Sequence, residues 1–147
     1  FIIQQVLEAS VYMPVEQQKQ EIKKWVLVYV WIHKDDPKDQ IQKIKRFVQK
    51  IQTVKLLSWE DGKINKSLAY TKGEILLISN FTLYWRNEKG SSVDYTHSAK
   101  YGIAEPIFES LVEELRNQWI QVKTGIFWAK MLVSSSVLWP INYIREF

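Results

Sequence analysis

Residues 25 to 32 read Trp-Val-Leu-Val-Tyr-Val-Trp-Ile, eight apolar positions in a row, crowded with β-branched and aromatic side chains. The run is far short of the ~20 residues a membrane helix needs. It also lacks the alternation of a strand with one wet face. What remains is a central strand covered on both sides. Glu74-Ile-Leu-Leu-Ile-Ser79 predicts a second strand of the same buried kind. A chain of 147 residues can support such a core, since a domain of that length buries roughly two-thirds of its unfolded surface.

The rest of the chain supplies the partners. Phe1 to Met13 reads as an extended segment closed by Pro14, and Val15 to Lys24 as a turn followed by a solvated strand. Asp35-Asp36-Pro37 is a helix start signal, an acidic cap with proline at the first helical position. Ile41, Ile44, Phe47, Val48 and Ile51 then recur at helical spacing among Lys43, Lys45, Arg46 and Lys50, which predicts an amphipathic helix of about four turns. Val54 to Trp59 reads as a short strand, Glu60 to Lys63 as a turn and Arg86 to Lys100 as a loop. A second amphipathic helix is marked by Ile107, Phe108, Leu111, Val112 and Leu115, with Pro106 allowed only inside its first turn. Ile126 to Val133 and Leu138 to Ile144 are strand candidates on either side of a serine run. With too few helices to separate every strand, the expectation is a single α+β domain over residues 1–147. Its mixed or antiparallel, barrel-like sheet would carry two main helices.

Several function classes drop out. No cysteine is present, so there is no disulfide framework and no cysteine nucleophile. His33 and His97 are the two histidines, and a surface or packed role is the plainer reading of each. Nucleophile elbow, phosphate loop and zinc-protease helix are all missing. No secretory signal is visible, which with the lack of cysteine makes the cytoplasm the expected compartment. A net charge of +4 permits nucleic-acid contact without demanding it, and the lysine-rich helix reads first as a solvated face.

Ser79-Asn80-Phe81-Thr82 is the segment with chemical promise. A buried strand ending in small and polar residues brings backbone N–H groups to a surface beyond the ladder, where they can stabilise an oxyanion without a titrating side chain. Thr82 adds a hydroxyl and Phe81 a face for stacking. Any strand end can look this way, so the residues alone leave the point open.

Ile78-Ser-Asn-Phe-Thr-Leu-Tyr84 closely resembles the V-S-Q-F-T-L-Y segment of the D-aminoacyl-tRNA deacylases. The resemblance runs over nearly the whole chain. Ile3 to Val6 and Ala9 to Val11 are similar to the opening I-Q-R-V and A-S-V, and Trp25 to Trp31 to the strand G-L-L-V-L-L-G. Asp61-Gly62-Lys63 with Asn65 and Ser67 matches a turn, Lys89-Gly90 a loop, and Thr124 to Met131 the stretch T-G-x-F-G-A-x-M. The resemblance implies a homodimer that hydrolyses the ester between a D-amino acid, or glycine, and the terminal adenosine of tRNA, with no metal and no cofactor. It implies a site at the subunit interface. Backbone groups of Ser79, Asn80, Phe81 and Thr82 would act there, with the RNA 2′-hydroxyl assisting or Thr82 as nucleophile. It places Met131 at the substrate pocket. It also implies a chiral gate at the position of Trp139-Pro140, reaching into the partner's pocket across a cis peptide bond.

The chain departs from the family pattern at that gate. N-D-G-P-V-T aligns with Val137-Leu-Trp-Pro-Ile-Asn142, and the arginine that helps hold the loop is Gln5. The glutamine of S-Q-F-T-L is Asn80. Trp25, Trp31, Trp128 and Trp139 all stand where the family has glycine. Each ring predicts overpacking of ~1–3 kcal/mol unless its neighbours make room. A non-catalytic dimer that binds RNA or a protein partner is the alternative these filled positions favour.

Overall fold

The computed structural model describes residues 1–36, 40–58, 60–88, 90–139 and 142–146. β1 (Ile2–Met13) is the organising strand. It pairs with β2 (Gln18–Ile22) and β3 (Trp25–Val30) in one continuous antiparallel register, from Met13↔Gln18 to Ile2↔Tyr29. Its other edge takes β8 (Leu132–Val137) and β9 (Tyr143–Ile144), also antiparallel. β3 runs parallel to β6 (Glu74–Ser79), and β6 parallel to β7 (Gln121–Thr124). The sheet curls until β2 meets the far side. Lys123 Nζ donates to the Glu21 carbonyl at 2.7 Å, and Lys23 N–H to Glu74 Oε2 at 3.3 Å. The result is the expected α+β fold with a nearly closed, mixed, barrel-like sheet.

Both apolar runs are buried on two faces, as their lack of alternation requires. Val26, Val28 and Val30 of β3, with Ile75 and Leu77 of β6, meet the helices α1 (Gln40–Thr53) and α3 (Tyr101–Asn117) through Phe47, Ile51, Phe108 and Leu111. Leu27, Leu76 and Ile78 face the barrel interior, where Val6, Ala9, Val11 and Met13 of β1 close over them. A register shift between Val6 and Glu8 makes this possible, because it puts Val6, Ala9, Val11 and Met13 on one face and turns Leu7 outward.

The C-terminal third differs from expectation. Residues 126–131 form a turn and loop rather than a strand. The serine run lies inside β8, paired with Glu8, Ala9 and Ser10, because ladder bonds from β1 outweigh the turn preference of serine. Among the described residues of the last candidate strand, Tyr143 and Ile144 are the ones in a ladder. α3 starts at Tyr101, so Pro106 is its sixth residue and not part of the first turn. Its missing N–H would have bonded Gly102, which is exposed and has open space around it, so water can take that carbonyl. A one-turn helix, α2 (Leu68–Thr71), capped by Ser67, and a small hairpin of β4 (Leu57–Ser58) with β5 (Ile64–Lys66) complete the fold. The helix start signal at Asp35-Asp36-Pro37 falls partly on residue 37, outside the described residues; helical structure is described from Gln40. Among the described residues no helix is long and apolar enough to cross a membrane.

The four tryptophans in glycine positions are accommodated in three ways. Trp25 lies against Gly73, where an added Cβ would overlap the indole Cδ1, so a neighbour without a side chain makes its room. Trp31 and Trp128 join an aromatic cluster. Trp31 is buried and stacked on Phe127 at 5.4 Å, and Trp128 is stacked on Phe81 at 5.4 Å. Trp139 projects into solvent, 78% exposed, so its ring is not packed into the core.

Candidate active site

Because β3 and β6 are parallel and in register through Val30↔Ser79, their C-terminal ends open at the same rim. Trp31 and Asn80 leave the sheet there side by side. Asn80 then caps a single 3-10 turn, Phe81–Tyr84, its Oδ1 accepting from Thr82 N–H at 3.1 Å and from Thr82 Oγ1 at 2.6 Å. Ser98 Oγ, donating to the Phe81 carbonyl at 2.9 Å, pins the turn from the opposite side.

Above this rim lies a cavity of about 470 Å³. Ser79, Asn80 and Phe81 form its floor with Tyr29, Trp31 and Ile78, while Trp128, Ala129, Lys130, Met131 and Val133 form the facing wall. Met131 is seated by Gly125, where a Cβ would overlap its Sδ. Trp128 has φ +65°, a left-handed conformation that glycine adopts freely and a tryptophan adopts at a cost. Its stack on Phe81, with Tyr101 edge-on at 5.5 Å, offsets that cost.

Of the backbone N–H groups at the strand end, that of Asn80 is already used, donating to the Val30 carbonyl at 2.9 Å. The Phe81 N–H has no protein partner among the described residues. The Thr82 hydroxyl is committed to Asn80, and Thr82 does not line the cavity. The titratable side chains in the lining are Tyr29, whose phenol burial pushes up, and Lys130. His33 and His97 sit elsewhere, 3.4 Å apart through Nε2 and Nδ1, with His33 edge-on to Tyr84. Burial, then the charges of Asp36 and Glu146, push the Tyr84 phenol up to about 12. No three His, Asp or Glu side chains among the described residues come together as a metal site.

The gate segment is visible at its ends. Pro140, and with it the cis peptide expectation, lies outside the described residues. Leu138 N–H donates to the Gln5 carbonyl at 2.9 Å, and Gln4 Nε2 to Asn142 Oδ1 at 2.6 Å. The Gln5 side chain turns inward instead. Its Nε2 donates to the Ser58 carbonyl at 3.0 Å, and its Oε1 accepts from Ser58 N–H at 2.8 Å. Among the described residues the loop is thus tied by the Gln5 backbone and by Asn142, while the side chain at position 5 bonds Ser58. Trp139 does not line the cavity of its own chain. The sequence singled out Trp31 and Trp128 only as filled glycine positions, but the structure places both of them in the cavity lining, Trp31 in the floor and Trp128 in the facing wall.

Together these elements make an α+β, barrel-like fold in which a strand end delivers peptide groups to an aromatic cavity. The family model described as D-Tyr-tRNA(Tyr) deacylase matches residues 2–146. A protein named D-aminoacyl-tRNA deacylase from Acinetobacter baumannii (strain ACICU) is 36% identical over 99% of this chain and 96% of its own length. One of the same name from Protochlamydia amoebophila is 32% identical over 99% and 93%. Among solved structures, one titled c-Myc DNA Unwinding Element Binding Protein superposes with TM-score 0.83 at 27% identity, covering 97% of this chain and 94% of that one. Another, titled as a probable eukaryotic D-amino acid tRNA deacylase, has TM-score 0.78 at 14% identity, covers 92% and 91%, and shares the fold. The chain belongs to the D-aminoacyl-tRNA deacylase family.

Proposed function

We propose that this chain hydrolyses the ester linking a D-amino acid, or glycine, to the terminal adenosine of tRNA, and that it does so as a homodimer whose partner completes the pocket. The observation that carries the reading is the unpartnered Phe81 N–H at the rim of an aromatic cavity, on a full-length family match. When water adds to the ester carbonyl, the oxygen gains negative charge beside that donor. One preorganised donor of this kind is worth about 2.7–4 kcal/mol, or 10²–10³ in rate. Among the described residues the cavity lining carries no His, Asp or Glu, which fits assistance by the RNA 2′-hydroxyl. With its proton held by Asn80, Thr82 is a positioning residue in this scheme.

Chiral selection falls to the partner's pocket-facing loop. Trp139 is exposed, as are the apolar Leu7 on β1 and Leu132 on β8, which suits an interface between copies. A purely binding role has only the filled glycine positions in its favour, and the structure accommodates all four without closing the cavity. Deacylation of D-tyrosyl-tRNA beside L-tyrosyl-tRNA, with the protein in catalytic amounts, tests the reading. Turnover of the D-ester alone supports it. Turnover of both esters would remove the gate from the proposal, and turnover of neither would sink the catalytic function.

A further inference from the structure

We propose that the solvent face of α1 is the surface along which the base-paired stem of the RNA substrate lies; this rests on the proposed function. Lys45, Arg46 and Lys50 are exposed on α1 and enter no ion pair among the described residues. The remaining cation, Lys43, is held by Asp36 at 2.6 Å. Between them on the same face lie Gln42, Gln49 and Thr53, while Phe47, Val48 and Ile51 point to the core. No residue of α1 is acidic. A helix face that is merely solvated usually gains from interleaved opposite charges at i, i+4, and like charges crowded together cost stability. An acid-free face of cations and amides is instead suited to phosphate oxygens and ribose hydroxyls, the groups by which paired RNA is held.

The neighbouring helix sharpens the point. α3 packs beside α1 and carries Glu105, Glu109, Glu113 and Glu114 against a single Arg116. The helical layer is therefore split by charge, attracting a polyanion over α1 and repelling it over α3. Trp31 links this layer to the site. It lines the catalytic cavity on one side and, on the other, a small cavity shared with Gln40, Lys43 and Ile44 of α1. The start of α1 thus stands directly behind the wall of the cavity that receives the RNA terminus. From there 14 residues carry the basic face for ~21 Å.

The test is binding of uncharged tRNA as a function of salt, for the wild type and for Lys45→Gln/Arg46→Gln/Lys50→Gln. The expected result is at least a tenfold weaker affinity at low salt and a log–log salt slope shallower by about 2–3, one unit or slightly less per lost contact. Lys45→Gln and Lys50→Gln alone should each lower the slope by about one. Hydrolysis of D-tyrosyl-adenosine, which has no stem, should be unchanged in the triple variant. Unaltered tRNA affinity and slope would overturn the proposal, and so would an equal loss on the stemless ester, which would point to a damaged site. Because binding is read with uncharged tRNA, failure of the wild type to turn over any ester would strike the hydrolytic reading and leave this surface standing.

Discussion

The Thr82 hydroxyl lies 2.6 Å from Asn80 Oδ1, and the Thr82 N–H lies 3.1 Å from the same oxygen. One side-chain oxygen therefore fixes both hydrogen-bond donors of Thr82, and with them the turn that presents Phe81 N–H. Thr82→Val should lower the deacylation rate by less than about 3-fold, since the backbone half of the cap remains. Asn80→Ala removes the whole cap and should cost about 1 kcal/mol of stability, with a larger fall in kcat than in KM. A drop of three orders of magnitude in Thr82→Val, with the fold intact by circular dichroism, would restore Thr82 as nucleophile.

Gly73 and Trp25 should behave as a coupled pair. Gly73→Ala drives a methyl into the indole and should destabilise by ~1–3 kcal/mol. In a Trp25→Gly background the same change should cost much less. Urea denaturation of the four members of the cycle should give a coupling of at least about 1 kcal/mol. A coupling near zero would mean that the two residues do not share the space.

Trp128 gains from stacking and loses from its backbone. Trp128→Ala forfeits the stack on Phe81 and keeps a left-handed conformation unfavourable to any Cβ, whereas Trp128→Gly forfeits the stack and relieves the backbone. The glycine variant should therefore be the more stable of the two by about 1 kcal/mol, read as the difference in urea midpoint. The reverse order would place φ of residue 128 outside the left-handed region.

Tyr84 gives a pH-dependent stability whose sign is fixed. Its folded pKa, about 12, lies above the unfolded value of 10. Between these values the folded state holds the proton that the unfolded state has lost, so stability present below pH 10 falls as pH rises toward 12. Burial is the largest cause, followed by Asp36 and Glu146. Tyr84→Phe should flatten the fall in urea midpoint between pH 9.5 and pH 11, values chosen to bracket the onset, while the two proteins keep parallel profiles below pH 9. Identical profiles throughout would refute the assignment.

What the sequence revealed and what it hid have physical causes. Glu74–Ser79 was legible to the residue, because a strand buried on both faces must be apolar throughout, and the run read as a strand from Trp25 to Ile32 was legible for the same reason, though the strand itself ends at Val30. The resemblance over Ile78 to Tyr84 located the strand end that floors the cavity. Residues 126–131 misled, since Ile126, Phe127 and Trp128 carry strand-like side chains, and the left-handed backbone at Trp128 leaves no trace in residue type. Ser134 to Ser136 misled in the opposite direction, because a strand pairing with β1 can carry serine on its wet face. That the Asn80 N–H is spent on Val30 follows from the parallel register of two strands separated by 43 residues, which local pattern does not encode.

β1 is paired from both ends of the sequence. One of its edges is filled by the strands that immediately follow it, the other by β8 and β9, more than 100 residues later. Until that late segment docks, a long strand stands with an open ladder, ready to pair with another molecule. The loop that leads into β8 also carries Trp128 and Met131, the cavity's outer wall. One stretch of chain thus both covers the open edge of β1 and completes the cavity, so a molecule in which it is undocked would lack its outer cavity wall and expose a pairing edge at the same time.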